Sequence, residues 1–216
     1  SDKERVDPNE PLKGTRIPVL VLEEQLRVDL GLVDRKVQLP RPYVNREWPQ
    51  AGGAAHHAMH HLALGPAPRV IWRSSIGDGS SGNHRILAQP IVGDGKLFAI
   101  DSGWRVTALD QRSGDRIWST KLKDKRESLS SAFGGGIGYS NGRVFVAMGS
   151  GFAAAVDADS GVILWRTDFE VALRGSPAVD DSRVYVTTHD NQLHALDVES
   201  GEILWSHVAL SEQQAL

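Results

Sequence analysis

The densest set of potential metal ligands is the cluster His56-His57-x-x-His60-His61. On a helix, His56/His60 and His57/His61 would each lie four residues apart on one face, a spacing that suits a transition-metal ion. No Glu lies inside the cluster to act as a base, so the competing reading is a polar segment leading into the folded region. Asp110, Asp157 and Asp197 invite a reading as general acids. Each stands at the same place in one of three copies of a sequence repeat, whereas catalysis needs one asymmetric constellation, so they read as structural. The chain has no Cys, which excludes disulfides, thiolate zinc sites and cysteine nucleophiles. Lys and Arg total 24 against 27 Asp and Glu, with no basic block. Nucleic-acid binding relies on clustered cations and is therefore disfavoured. Apolar runs such as Pro18–Leu22 are far shorter than the roughly 20 residues of a membrane-spanning helix.

The elements that would carry these residues follow from the texture of the 216-residue chain. Residues 1–47 are irregular and broken by Pro8, Pro11, Pro18, Pro40 and Pro42; they read as an N-terminal arm in which only Ile17–Leu22 could be a short strand. Residues 48–216 read as the folded domain. From Val70 onward, short runs of Val, Ile, Leu and aromatics alternate with Gly, Asp, Asn and Ser, the pattern of many short antiparallel strands.

An internal repeat decides the fold class. Residues 90–118, 137–165 and 177–205 superpose without a gap, with five columns identical in all three copies. The first column is Ala108, Ala155 and Ala195; the second is Asp110, Asp157 and Asp197; the third is Ser113, Ser160 and Ser200. The fourth is Gly114, Gly161 and Gly201, and the fifth is Trp118, Trp165 and Trp205. A sixth column, made of Phe98, Phe145 and Tyr185, is always aromatic. In the first copy, Pro90–Val92, Lys96–Ile100, Arg105–Asp110 and Arg116–Lys121 read as four strands. Asp94-Gly95 and Ser102-Gly103 supply turns, and the loop at 111–114 joins the last two strands. The Asp would accept backbone N–H bonds from its loop, the Gly would supply a positive φ, and the Trp would cover the neighbouring sheet. Four short strands repeating every 40–47 residues are a blade of an all-β propeller. Trp72 lies 46 residues before Trp118 and ends a partial earlier copy, so residues 69–74 read as a closing outer strand and the chain as a partial propeller of about three blades.

The pattern A-x-D-x-x-S-G-x-x-x-W resembles the PQQ-like repeat. The wider sequence resembles the BamB family of outer membrane protein assembly factors, in its alphaproteobacterial form. Gly14–Leu20, Leu39-Pro40, Asn45-x-x-Trp48-Pro49-Gln50-x-Gly52-Gly53, Leu173-Arg174-Gly175 and Asp190–Leu196 carry that likeness. The resemblance implies a non-enzymatic scaffold without a cofactor. Its partners would be the barrel-forming, BamA-like assembly protein with its complex, and unfolded outer-membrane proteins. It further implies a position at the periplasmic face of the outer membrane, held by a lipid on an N-terminal Cys, a residue this chain lacks. The same repeat occurs in PQQ-dependent dehydrogenases, one alternative; a generic propeller interaction module is another.

Within a blade the chain alternates between two ends, and all variation in loop length falls at the end carrying the strand-four exits, Ser119–Gly136 and Arg166–Ser176. Variable loops on a rigid scaffold are where recognition concentrates. Trp104 stands at that end, in a turn position that is Gly151 and Asn191 in the other copies. Val171, Leu173 and Arg174 lie there too and match the loop by which the family binds its barrel partner. The candidate partner-binding residues are therefore Trp104, Val171, Leu173 and Arg174, with no catalytic, cofactor or metal site assigned.

Overall fold

The computed structural model describes residues 28–80, 86, 88–122 and 135–208. The strand expected at Ile17–Leu22 lies outside them. The chain divides into two compact units, Ser1–Leu39 and Pro40–Leu216. In the first, a turn is held by the Leu32 and Arg35 amides donating to the Asp29 and Leu32 carbonyls.

The second unit holds three antiparallel sheets of four strands, each strand paired with its sequence neighbour. The first contains β1 (Ile91–Gly93), β2 (Lys96–Ile100), β3 (Arg105–Asp110) and β4 (Arg116–Lys121). The second contains β5 (Gly135–Ser140), β6 (Arg143–Met148), β7 (Phe152–Asp157) and β8 (Ile163–Asp168). The third contains β9 (Leu173–Val179), β10 (Arg183–Thr188), β11 (Gln192–Asp197) and β12 (Ile203–Val208). Residues 69–74, expected as an outer closing strand, pair with no strand among the described residues.

The second sheet is buried on both faces, and β6 shows how. Val144 and Val146 enter the core shared with the first sheet, while Phe145 and Ala147 enter the core shared with the third. Strand alternation thus serves two cores at once. Each recurring aromatic of the second strand packs on the Trp of its own sheet: Phe98 on Trp118, Phe145 on Trp165 and Tyr185 on Trp205, at 6.0, 6.0 and 6.1 Å between centroids. The repeat alanine is what lets them meet. Ala108 pairs with Phe98 on one side and Trp118 on the other, Ala155 with Phe145 and Trp165, and Ala195 with Tyr185 and Trp205. Ala108, Ala155 and Ala195 are all fully buried, and a larger side chain at any of them would stand between two rings that are in contact.

The repeated turn performs the expected local chemistry. The Asp110 carboxylate accepts the Arg112 and Ser113 amides at 2.9 and 2.8 Å, and Asp157 and Asp197 do the same in their copies. These bonds hold all three carboxyls below their ordinary range: at Asp110 and Asp197 the backbone N–H of the loop Ser dominates, and at Asp157 the Ser160 hydroxyl does. The turn glycine then receives the Trp of the preceding sheet. A Cβ on Gly161 would lie 2.7 Å from Trp118, and one on Gly201 would lie 2.4 Å from Trp165. Each indole N–H donates to the carbonyl of the residue after the Asp: Trp72 to Gln111, Trp118 to Ala158 and Trp165 to Val198, at 3.1, 2.9 and 3.1 Å. Trp72 therefore docks as the Trp of a preceding sheet would.

Trp205 departs from the expectation that each repeat Trp covers a neighbouring sheet. Trp165 is 8% exposed but Trp205 is 41% exposed. The reason is geometric: a repeat Trp is covered by the turn of the next sheet, and no sheet follows the third among the described residues.

Candidate functional site

The sheets present two chemically different ends. At one, the first and third turns of each sheet are tied together, with Gln111, Ala158 and Val198 amides donating to Gly95, Gly142 and Ser182 carbonyls at 3.0, 2.9 and 3.1 Å. This turn end repeats nearly unchanged. At the other end the β2–β3, β6–β7 and β10–β11 turns meet the connections between sheets. There Leu122 donates to Trp104, Phe169 to Gly151 and His189 to Ala172, at 2.9, 2.8 and 2.9 Å.

At this loop end Trp104 is half-buried, its ring packed against the core between the first two sheets. Its backbone is left-handed, φ 62°, like Gly151 at 92° and Asn191 at 63° in the same column. The turn demands that conformation. Gly adopts it freely and Asn readily, but a bulky side chain adopts it at a cost of about 1–2 kcal/mol. A Trp is therefore held here against the local preference of the backbone.

The Val171–Arg174 stretch corrects one expectation. Leu173 is fully buried in the core between the second and third sheets, so it packs and offers no surface to a partner. It is also not in a loop: β9 begins at Leu173, which pairs with Thr188, and Arg174 pairs with Thr187, whose hydroxyl donates to the Arg174 carbonyl at 2.9 Å. Val171 and Arg174 are partly exposed. Trp104 and Arg174 thus share one end of the sheets but belong to different packing layers.

Several polar groups at this end carry no signal in the repeat. The Asp101 side chain is fully buried and accepts the Gly103, Arg105 and Asp78 amides at 2.9, 2.8 and 2.9 Å, which ties the strand-free segment at 76–79 to the β2–β3 turn. The order Asp-Ser-Gly at 101–103 is the local sign of such a carboxylate-closed turn. On the third sheet, His194 is 8% exposed, its Nδ1 lies 2.7 Å from the Ser206 hydroxyl, and its ring packs on Phe169 at 5.1 Å. Burial pushes its pKa below the ordinary value.

The histidine cluster is not on a helix. His57 and His60 take positive φ, and the His56 and His60 rings lie 6.4 Å apart. His56 Nδ1 accepts the Ala58 amide at 3.0 Å, and His61 Nδ1 lies 2.7 Å from the Pro40 carbonyl. Among the described residues no group of three or more His, Asp or Glu is arranged to hold a metal ion.

Comparison with known proteins adds to this geometry. The family profile described as "Outer membrane protein assembly factor BamB" matches residues 102–216, just over half of the chain. The outer membrane protein assembly factor BamB of Shewanella oneidensis is 33% identical over 120 residues, covering 53% of this chain and 30% of that protein. The 1-butanol dehydrogenase (cytochrome c) of Thauera butanivorans is 32% identical over 105 residues, covering 44% of this chain and 15% of that protein. Each match thus takes in less than a third of the relative's length. The quinohemoprotein alcohol dehydrogenase structure from Comamonas testosteroni superposes with a TM-score of 0.61 at 22% identity, over 75% of this chain and 27% of that one. That likeness is one of fold, and the fold is the β-propeller expected from the repeat, present here in part.

Proposed function

The chain belongs to the BamB family of outer membrane protein assembly factors, and from that premise we propose that it is a non-enzymatic scaffold of the outer-membrane β-barrel assembly machinery. It binds the barrel-forming, BamA-like assembly protein through the loop end of its sheets. It works at the periplasmic face of the outer membrane, with a lipid anchor in the complete protein. Unfolded outer-membrane proteins are its second class of partner, received along exposed strand edges by backbone pairing.

The observation that carries the choice of surface is Trp104, a partly buried aromatic kept in a left-handed turn where the other copies use Gly and Asn. Strained residues persist where function holds them, and Trp and Arg dominate the energetic centres of protein interfaces. Arg174 supplies the Arg at the same end, and its guanidinium makes no ion pair among the described residues. The dehydrogenase reading needs carboxylates free to bind calcium or take a proton. The Asp of each repeat copy is already engaged by the amides of its own turn, which favours the scaffold.

The test is titration of the purified barrel-forming protein. Arg174→Glu and Trp104→Asn are each expected to weaken binding tenfold or more, about 1.4 kcal/mol per tenfold. Asp181→Arg, an equal charge reversal at an exposed position of the turn end, should leave affinity within about threefold of wild type. Loss of binding in Asp181→Arg with retention in the other two would assign the interface to the opposite end.

A further inference from the structure

The first strand of each sheet, β1, β5 and β9, is its terminal strand, with an edge that no further strand of the sheet covers among the described residues. Successive sheets approach one another through these same strands. One short segment meets all three edges. Trp48 and Val92 exchange both backbone bonds, at 2.7 and 2.9 Å. The Pro49 carbonyl accepts the Tyr139 amide at 2.7 Å. The Gln50 carboxamide donates through Nε2 to the Val179 carbonyl at 2.8 Å and accepts the Val179 amide on Oε1 at 3.3 Å. Val92, Tyr139 and Val179 are the same column of the repeat. Three consecutive residues therefore contact one equivalent position on each of three successive sheets.

The residue types fit the three tasks. Trp48 uses both of its backbone groups. Pro49 has no N–H, and only its carbonyl is used. At Gln50 the backbone has turned away, its carbonyl accepting the Gly53 amide at 2.9 Å, with Gly52 and Gly53 at φ 80° and 102°. Its side chain takes over, because a carboxamide offers a donor and an acceptor as a peptide group does. Gln50 is 8% exposed, so an unpaired carboxamide there would be costly.

We infer that the inner edges of β1, β5 and β9 form one composite docking surface for an extended peptide, and that Trp48-Pro49-Gln50 is its resident occupant, a clamp that fixes the spacing of the three sheets. The clamp acts from the inner side, while Trp118 and Trp165 dock from the outer strands β4 and β8. It is a positioning device, and it holds whether or not the loop end binds an assembly partner.

Hydrogen exchange on the 216-residue chain tests it. A single clamp opens as a unit, so in the wild-type chain the Val92, Tyr139 and Val179 amides should exchange within about threefold of one another. Gln50→Ala should accelerate all three together by at least about tenfold, while Ala155, in the middle of β7, keeps its rate. Gln50→Glu, which keeps the shape but replaces the donor with an acceptor, should do the same. Pro49→Ala, which keeps the carbonyl, should leave Val92 and Val179 unchanged. Acceleration confined to Val179 would overturn the clamp, as would a Gln50→Glu chain that exchanges like wild type. If a Gln50 variant does not fold, the wild-type rates decide alone: a spread beyond tenfold among the three amides refutes a common opening.

Discussion

Removing Trp165 is the sharpest test of how the sheets are held together, because the molecule contains its own control. Trp165 is 8% exposed, donates its indole N–H to the Val198 carbonyl at 3.1 Å, and covers Gly201. A buried indole removes about 200 Å² from water, worth about 5 kcal/mol at ~25 cal/mol per Å². Truncation to Ala keeps a little of that and leaves a cavity, so Trp165→Ala should cost about 3–5 kcal/mol. Trp205 occupies the same column and packs on Tyr185 much as Trp165 packs on Phe145, but it is 41% exposed and no turn among the described residues covers it. Scaling by burial, Trp205→Ala should cost about 2 kcal/mol less than Trp165→Ala. Urea unfolding followed by far-ultraviolet circular dichroism avoids the loss of indole fluorescence that both changes cause. Equal costs, within about 0.5 kcal/mol, would refute the argument that docking on the next turn, rather than packing inside a sheet, makes this Trp matter.

Two further outcomes follow from the same contacts. Gly201→Ala should destabilise by more than about 2 kcal/mol, since it combines a left-handed backbone with a methyl driven into Trp165; Gly142→Ala, at nearly the same φ but facing open space, should cost only about 1 kcal/mol, and chemical denaturation separates the two. The pH dependence of unfolding should show two losses of stability on acidification. Burial lowers the His194 pKa below the unfolded value of 6.5, so its contribution is complete above 6.5 and is lost as the pH falls below it; His194→Gln should flatten that limb. Asp110, Asp157 and Asp197 are held below 3.8, so their contribution is present above that value and is lost as the pH falls through the still lower folded values.

What the sequence made legible was local, and what it missed was not. β2, β3 and β4 have the limits read from alternation and turn residues, and β1 is Ile91–Gly93 where Pro90–Val92 was expected. Each of those strands is set by its own side-chain period and by neighbours a few residues away. Leu173 and Arg174 read as loop because they fall in the Arg166–Ser176 exit, ahead of the copy that begins at Pro177. Their strand character comes from Thr187 and Thr188, and the burial of Leu173 comes from another sheet. The exposure of Trp205 was invisible for a related reason: a repeat predicts the same surroundings for every copy, but half of those surroundings belong to the next copy. Ala195, by contrast, is as buried as Ala108 and Ala155, because the two rings that flank it belong to its own sheet. Gln50 is the extreme case. It meets Val179 across 129 residues, and no periodicity in either segment announces the contact.

The two outer sheets also differ in charge, and the difference predicts how copies of this chain behave together. Between sheets, the cation that begins the second strand pairs with the acid two places after the turn Asp of the next sheet. Lys96 meets Asp159 at 2.8 Å, and Arg143 meets Glu199 at 2.5 Å. The third sheet carries Arg183 in the cation column, but the first carries Arg112 where the others have Asp159 and Glu199. Stacking the third sheet of one copy on the first sheet of another would oppose Arg183 to Arg112. It would also require Trp205 to enter a turn that Trp72 already covers. The chain should therefore resist head-to-tail association even though every residue of β12 is exposed. Arg112→Asp combined with Trp72→Ala removes both obstacles, one electrostatic and one steric, and should make the sedimentation coefficient rise with concentration. Raising the salt concentration should weaken that association, because the new attraction between Arg183 and the introduced carboxylate is a surface one. Wild-type chains that associate as readily as the double variant would show that neither the arginine mismatch nor the docked Trp72 guards the first sheet.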